Sequence, residues 1–114
     1  MAERVKVTFA ASAVSDMVEI RAYYTDQGVP EVGERLLREI LNHVESLSVH
    51  PDKGRIVPEF DRSNLREIIH PPFRIVYRRD RTRARVVRIW RSERLLKSPP
   101  EPFNQPRRKV TTGR

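Results

Sequence analysis

The chain has 114 residues and no cysteine; this suits one domain with a modest core and excludes a disulfide scaffold, a thiolate metal site and a cysteine nucleophile. Its formal net charge is +8 but unevenly spread: residues 1–60 carry 7 Lys and Arg against 10 Asp and Glu, whereas residues 61–114 carry 16 against 5. Nearly all of those 16 are Arg, whose planar fork of donors suits carboxylate or phosphate, so the second half is expected to face an acidic protein or nucleic acid.

Residues 4–9 (RVKVTF) alternate, with Val5, Val7 and Phe9 on one side, as in a strand with one buried face. Charge enters at Glu3 and the apolar stretch is short, which is unlike a signal peptide. No run approaches the roughly 18 apolar residues of a membrane span, so a cytoplasmic protein without a membrane partner is expected. Ser12 or Ser15 is a candidate helix cap. Ala13, Met17, Ile20 and Tyr24 then form one helical stripe. Gly28 suits a helix stop and Pro30 the first position of a second helix. Leu36, Leu37, Ile40, Leu41, Val44 and Leu47 form its stripe, and His50-Pro51 closes it. A short link between two helices predicts an antiparallel hairpin.

Residues 51–64 (PDKGRIVPEFDRSN) read as loop. Three strands are predicted next, at Leu65–Ile69, Phe73–Arg79 and Arg83–Arg91, with turns at Pro71-Pro72 and at residues 79–82. The tail from Ser98 is rich in proline and cannot join a core. The predicted class is α+β: an N-terminal strand, a helical hairpin, then a three-stranded antiparallel sheet. The folded domain is expected over residues 1–97, with a Pro-rich, basic tail over 98–114 that is extended or disordered.

Alternation sorts the strand residues into two faces. Phe73, Ile75 and Tyr77 point one way, and Arg74, Val76 and Arg78 the other. In the last strand Val87 and Ile89 are expected to share the helix-facing side, and Val86, Arg88 and Trp90 the opposite one. The predicted core is Met17, Ile20, Tyr24, Leu37, Ile40 and Val44 packed on Phe73, Ile75, Val87 and Ile89. The other face then presents Arg74, Arg78 and Arg88 around Trp90, a candidate docking surface. Arg91 and Arg94 extend the same basic run.

These motifs resemble the RelE/ParE superfamily of bacterial toxins, the ParE branch more closely. The carrying segments are ASAVSDMVEIRAYY (11–24), HPDKGRIVPEF (50–60), NLREIIHPPFRIVYR (64–78) and VVRIWRSERLL (86–96). The resemblance spans roughly residues 5–97. It implies the toxin of a type II toxin–antitoxin, plasmid-stabilisation-like system, neutralised by an antitoxin encoded beside it. ParE-like members poison DNA gyrase and trap cleaved DNA, whereas RelE-like members cut mRNA on the ribosome. Arg91 stands where the ParE-like pattern commonly has a histidine.

A metal-independent mRNA cut needs a proton acceptor, a proton donor and cations on the phosphate. Arg74, Arg78, Arg88, Arg91 and Arg94 supply cations. His70 and Glu93 are the acid–base candidates beside Glu67 and Tyr77, of which Tyr77 is expected to face the core. His43, His50 and His70 lack ligand spacing, and no Gly-rich phosphate loop is present, so neither metal nor cofactor is expected. Asp16 and Glu19 are read as a solvated helix face, and Glu59 and Glu67 as loop-closing ion-pair partners of nearby arginines. The leading expectation is a gyrase-directed toxin with an acidic antitoxin. The alternatives are a ribosome-dependent mRNA endonuclease and a non-toxic basic nucleic-acid-binding module.

Overall fold

The computed structural model describes residues 4–57 and 64–91. In chain order the described elements are β1 (Lys6–Phe9), α1 (Ala11–Asp26), α2 (Pro30–Ser46), β2 (Arg55–Ile56), β3 (Leu65–His70), β4 (Phe73–Arg79) and β5 (Arg83–Arg91). The strands form one sheet in the order β1-β5-β4-β3-β2. β1 runs parallel to β5 and every other pairing is antiparallel. The architecture is the α+β class expected from the sequence. The proposed tail over 98–114 lies outside the described residues.

Helix boundaries follow local chemistry. α1 ends at Asp26 and Gly28 adopts φ +80°, a conformation that suits a residue without Cβ. Pro30 then opens α2 at its first turn, where its missing N–H costs nothing. The start of α1 departs from expectation. Its cap is Ala10 without a side-chain hydrogen bond, and Ser12 Oγ instead donates to the Val87 carbonyl at 2.6 Å. Ser12 is thus spent on tertiary structure rather than on its own helix.

The core lies between the hairpin and one sheet face. Ala13 and Ile20 of α1, Leu36, Leu37, Ile40 and Val44 of α2, and Phe73, Ile75 and Tyr77 of β4 are buried together. Met17 and Tyr24 pack against this cluster. Leu41, expected in the α2 stripe, is 43% exposed: one step beyond Ile40 in the chain, it is turned about 100° from it around the helix.

Another correction concerns β5. Val76 pairs with Arg88 and Tyr77 with Val86, so Val87 is an extra residue. Such a bulge shifts the phase of the alternation. Val86 and Ile89 therefore both face the core, and Val87 is outside the core cluster. Strict alternation had placed Val87 inside and Val86 outside.

β2 also departs from expectation, because the sequence reads 51–64 as loop. It is only two residues long and pairs with Arg66 and Glu67 of β3. Gly54 makes this approach possible: a Cβ there would lie 2.6 Å from the Glu67 carbonyl oxygen and 2.8 Å from Tyr77 Cε1. Tyr77 Oη accepts the Gly54 N–H at 3.0 Å and donates to the Pro51 carbonyl at 2.7 Å. Burial pushes the Tyr77 phenol above its ordinary pKa.

Candidate functional site

The sheet face turned away from the helices collects the arginines. Cross-strand pairing sets them in rows: Ile69–Arg74–Trp90, then Glu67–Val76–Arg88, then Leu65–Arg78–Arg85. Because Ala84 faces the core, Arg83 shares the face of Arg85. On β1, Lys6 pairs with Arg83 and Thr8 with Arg85, so both extend the same surface.

Folding has neutralised part of this face. Glu67 is 1% and Arg74 5% exposed. Arg74 Nε donates to Glu67 Oε1 at 2.6 Å, and its Nη2 donates to the same oxygen. The other carboxylate oxygen receives Arg55 Nε at 2.6 Å. Glu67 is therefore a buried counter-charge for two guanidiniums, more than the loop-closing partner expected from sequence.

Arg88 is neutralised at the sheet edge. β1 pairs with β5 only as far as Val86, which leaves the backbone of the following residues without a strand neighbour on that side. Side chains of α1 close the gap. Besides the Ser12 bond to Val87, Asp16 Oδ2 accepts the Ile89 N–H at 2.8 Å. The same carboxylate receives Arg88 in two-point fashion, at 2.8 and 2.9 Å. Asp16 is buried, which corrects the reading of it as part of a solvated helix face. The spacing of Ser12 and Asp16 by four residues puts them on one side of the helix, but nothing in that spacing reveals a strand edge. The Arg88 guanidinium also lies 5.0 Å from the Trp90 ring centroid, within cation–π range.

Other sequence candidates go elsewhere. Arg91 pairs with Phe73 in the sheet. Its guanidinium lies 5.7 Å from the Phe73 ring and 5.8 Å from the Tyr23 ring, so it belongs to the helix side and not beside Arg74 and Arg88. Glu59, Glu93 and Arg94 lie outside the described residues. His70 also faces the helices: it bonds Glu39 Oε1 at 2.9 Å through Nε2 and His43 Nε2 at 3.1 Å through Nδ1. Burial, then the neighbouring Lys53 and His70 charges, hold His43 below the ordinary imidazole pKa. The hydrogen bond from His70 lowers the Glu39 carboxyl. Among the described residues no group of three or more His, Cys, Asp or Glu is placed to hold a metal ion.

Arg78, Arg83 and Arg85 are exposed. Sequence reasoning found Arg78 but missed Arg85, because unbroken alternation back from Ile89 puts it on the core side. The bulge at Val87 returns it to the outer face.

This strand–hairpin–sheet arrangement matches a known family. The model of the ParE toxin of type II toxin–antitoxin systems, parDE, matches residues 7–96, and the chain belongs to that family. A solved chain described as the chromosomal ParDE TA system from P. aeruginosa is similar in fold, with a TM-score of 0.66 and 20% identity over 79% of this chain and 98% of that one. No curated protein matches. No helix among the described residues is long and apolar enough to cross a membrane.

Proposed function

We propose that this ParE-family chain is a cytoplasmic toxin that poisons DNA gyrase and is neutralised by an acidic protein antitoxin. The observation that favours gyrase over an mRNA cut is the separation of the proton-transfer groups from the exposed arginines of the outer face. His70 and its partners Glu39 and His43 sit on the helix side of the sheet, whereas Arg78 and Arg85 are on the opposite face. Tyr77 has its hydroxyl engaged by backbone in the core, and Glu67 is buried between two arginines. Phosphate held on the outer arginines thus has none of these groups within reach, and general acid–base catalysis needs hydrogen-bond reach.

The antitoxin is proposed to dock at the Trp90 end of the outer face. Ile69 is 43% exposed there and Trp90 is half-buried, so the row offers apolar anchors of the kind that dominate interface energy. Arg74 and Arg88 frame those anchors, and Arg91 and Arg94 extend the basic run along the chain. Carboxylates of the antitoxin would pair with Arg88, whose side chain keeps 35% of its surface exposed.

The purified chain added to gyrase and plasmid is expected to block supercoiling and accumulate cleaved DNA, while a translation extract keeps its mRNA intact. Intact gyrase activity together with codon-positioned mRNA cuts would reverse the assignment.

A further inference from the structure

The corner of the outer face formed by Lys6, Arg78, Arg83 and Arg85 differs from the rest of that surface. Arg78 and Arg85 are directly opposite each other on β4 and β5, and Lys6 is directly opposite Arg83 on β1 and β5. All four are exposed. No hydrogen bond or ion pair joins any of their side chains to another of the described residues. Asp80, in the adjoining turn, uses one carboxylate oxygen on the backbone N–H groups of Thr82 and Arg83. Like charges directly across a sheet are destabilising, and here two such pairs stand side by side with no acidic side chain of the described residues between them.

We infer that this corner binds the phosphate backbone of duplex DNA. Three features select that occupant. Cross-strand and alternate positions on a sheet lie several ångströms apart, so the four cations form a patch that can contact successive phosphates rather than one carboxylate. The rows that contain these cations hold no aromatic side chain, and stacking aromatics are what single-stranded recognition uses. The apolar anchors that a protein partner seeks lie at the other end of the face, at exposed Ile69 and half-buried Trp90. Contacts made only by Lys and Arg to phosphate are independent of sequence and strongly salt-dependent. The choice of DNA over another duplex rests on the gyrase reading. A toxin with its own grip on the backbone would hold the duplex beside the enzyme it poisons.

Binding of the full chain to a fluorescent DNA duplex, followed by anisotropy across a salt series and without gyrase, tests the corner by itself. The double variant R78A/R85A is expected to lose at least about tenfold in affinity at low salt and to flatten the log–log salt slope by about 2, one unit for each lost phosphate contact. The variant R21A/R38A removes the same charge from the helical hairpin and is expected to keep the slope of the parent chain. Equal losses in both variants would reduce the effect to net charge and overturn the site. Polyglutamate or duplex RNA that displaces the DNA more effectively than unlabelled DNA would reassign the corner to a protein or an RNA. DNA binding as expected with gyrase left unaffected would preserve the corner and refute the toxin's target instead.

Discussion

The two ends of the outer sheet face contain the same residue type in opposite physical states. At one end Arg55 and Arg74 share the buried Glu67, and Arg88 is clasped by Asp16. At the other, Arg78, Arg83 and Arg85 stand in water beside Lys6. The first group belongs to the scaffold. Glu67, Arg74 and Asp16 are buried, and removing one member of a buried pair leaves the charge of the other uncompensated. The second group adds repulsion to the fold and is available to a partner. A count of arginines cannot separate these roles, whereas the position of a single carboxylate can.

Removing a counter-charge from the first group should have the largest effect. Glu67→Gln takes the negative charge from beside buried Arg74, and a loss of about 3–5 kcal/mol is expected in urea unfolding. A loss below about 1 kcal/mol would place Glu67 among ordinary surface carboxylates. Asp16→Ala should cost somewhat less, about 1–3 kcal/mol, because it strands the Ile89 N–H and loosens Arg88. Hydrogen exchange should then show the Ile89 amide opening faster, and an unchanged exchange rate would mean that α1 does not seal the β5 edge.

The histidine cluster on the helix side has a pH signature. His43 has a pKa lowered by burial and by Lys53 and His70, so the unfolded chain takes up this proton first on acidification. The contribution is fully present above the ordinary imidazole pKa of about 6.5 and is lost as the pH falls below it. Chemical denaturation at pH 7.5 and pH 5.5 should show the parent chain losing stability with acid, and a shallower decline in His43→Asn. Equal declines would remove His43 as the cause. The smallest effect is expected at the cationic corner. Arg78→Ala should leave stability unchanged or raise it by up to about 1 kcal/mol, since it relieves a like-charge pair. A clear loss would show that Arg78 has a structural role.

Much of this arrangement was legible in the sequence, and the failures have definite causes. The hairpin stripes and the strands at 73–79 and 83–91 could be read because burial imposes a period on apolar residues. The inner set Phe73, Ile75 and Tyr77 followed from the same rule, and the outer positions of Arg74, Arg78, Arg88 and Trp90 came with it. The exchange of Val86 for Val87, and with it the face of Arg85, was hidden because a bulge leaves no mark in a run such as Arg85-Val86-Val87-Arg88. Asp16 was read as solvated because its partners, Arg88 and the Ile89 amide, lie 72 and 73 residues away. His43 and His70, 27 residues apart, met for the same reason: helix and strand periodicities constrain each element but not which residues face each other between them.

The most direct test of the division between scaffold and available arginines is the exchange of each Arg Nε proton with water, followed by nitrogen-15 NMR on the assigned chain near neutral pH. Hydrogen bonding to a buried carboxylate slows such exchange, because the proton must first be released. Slow exchange at Arg74 and Arg88, with fast exchange at Arg78, Arg83 and Arg85, is the expected result. Uniformly fast exchange, or protection at Arg78 and Arg85 equal to that at Arg74, would contradict it.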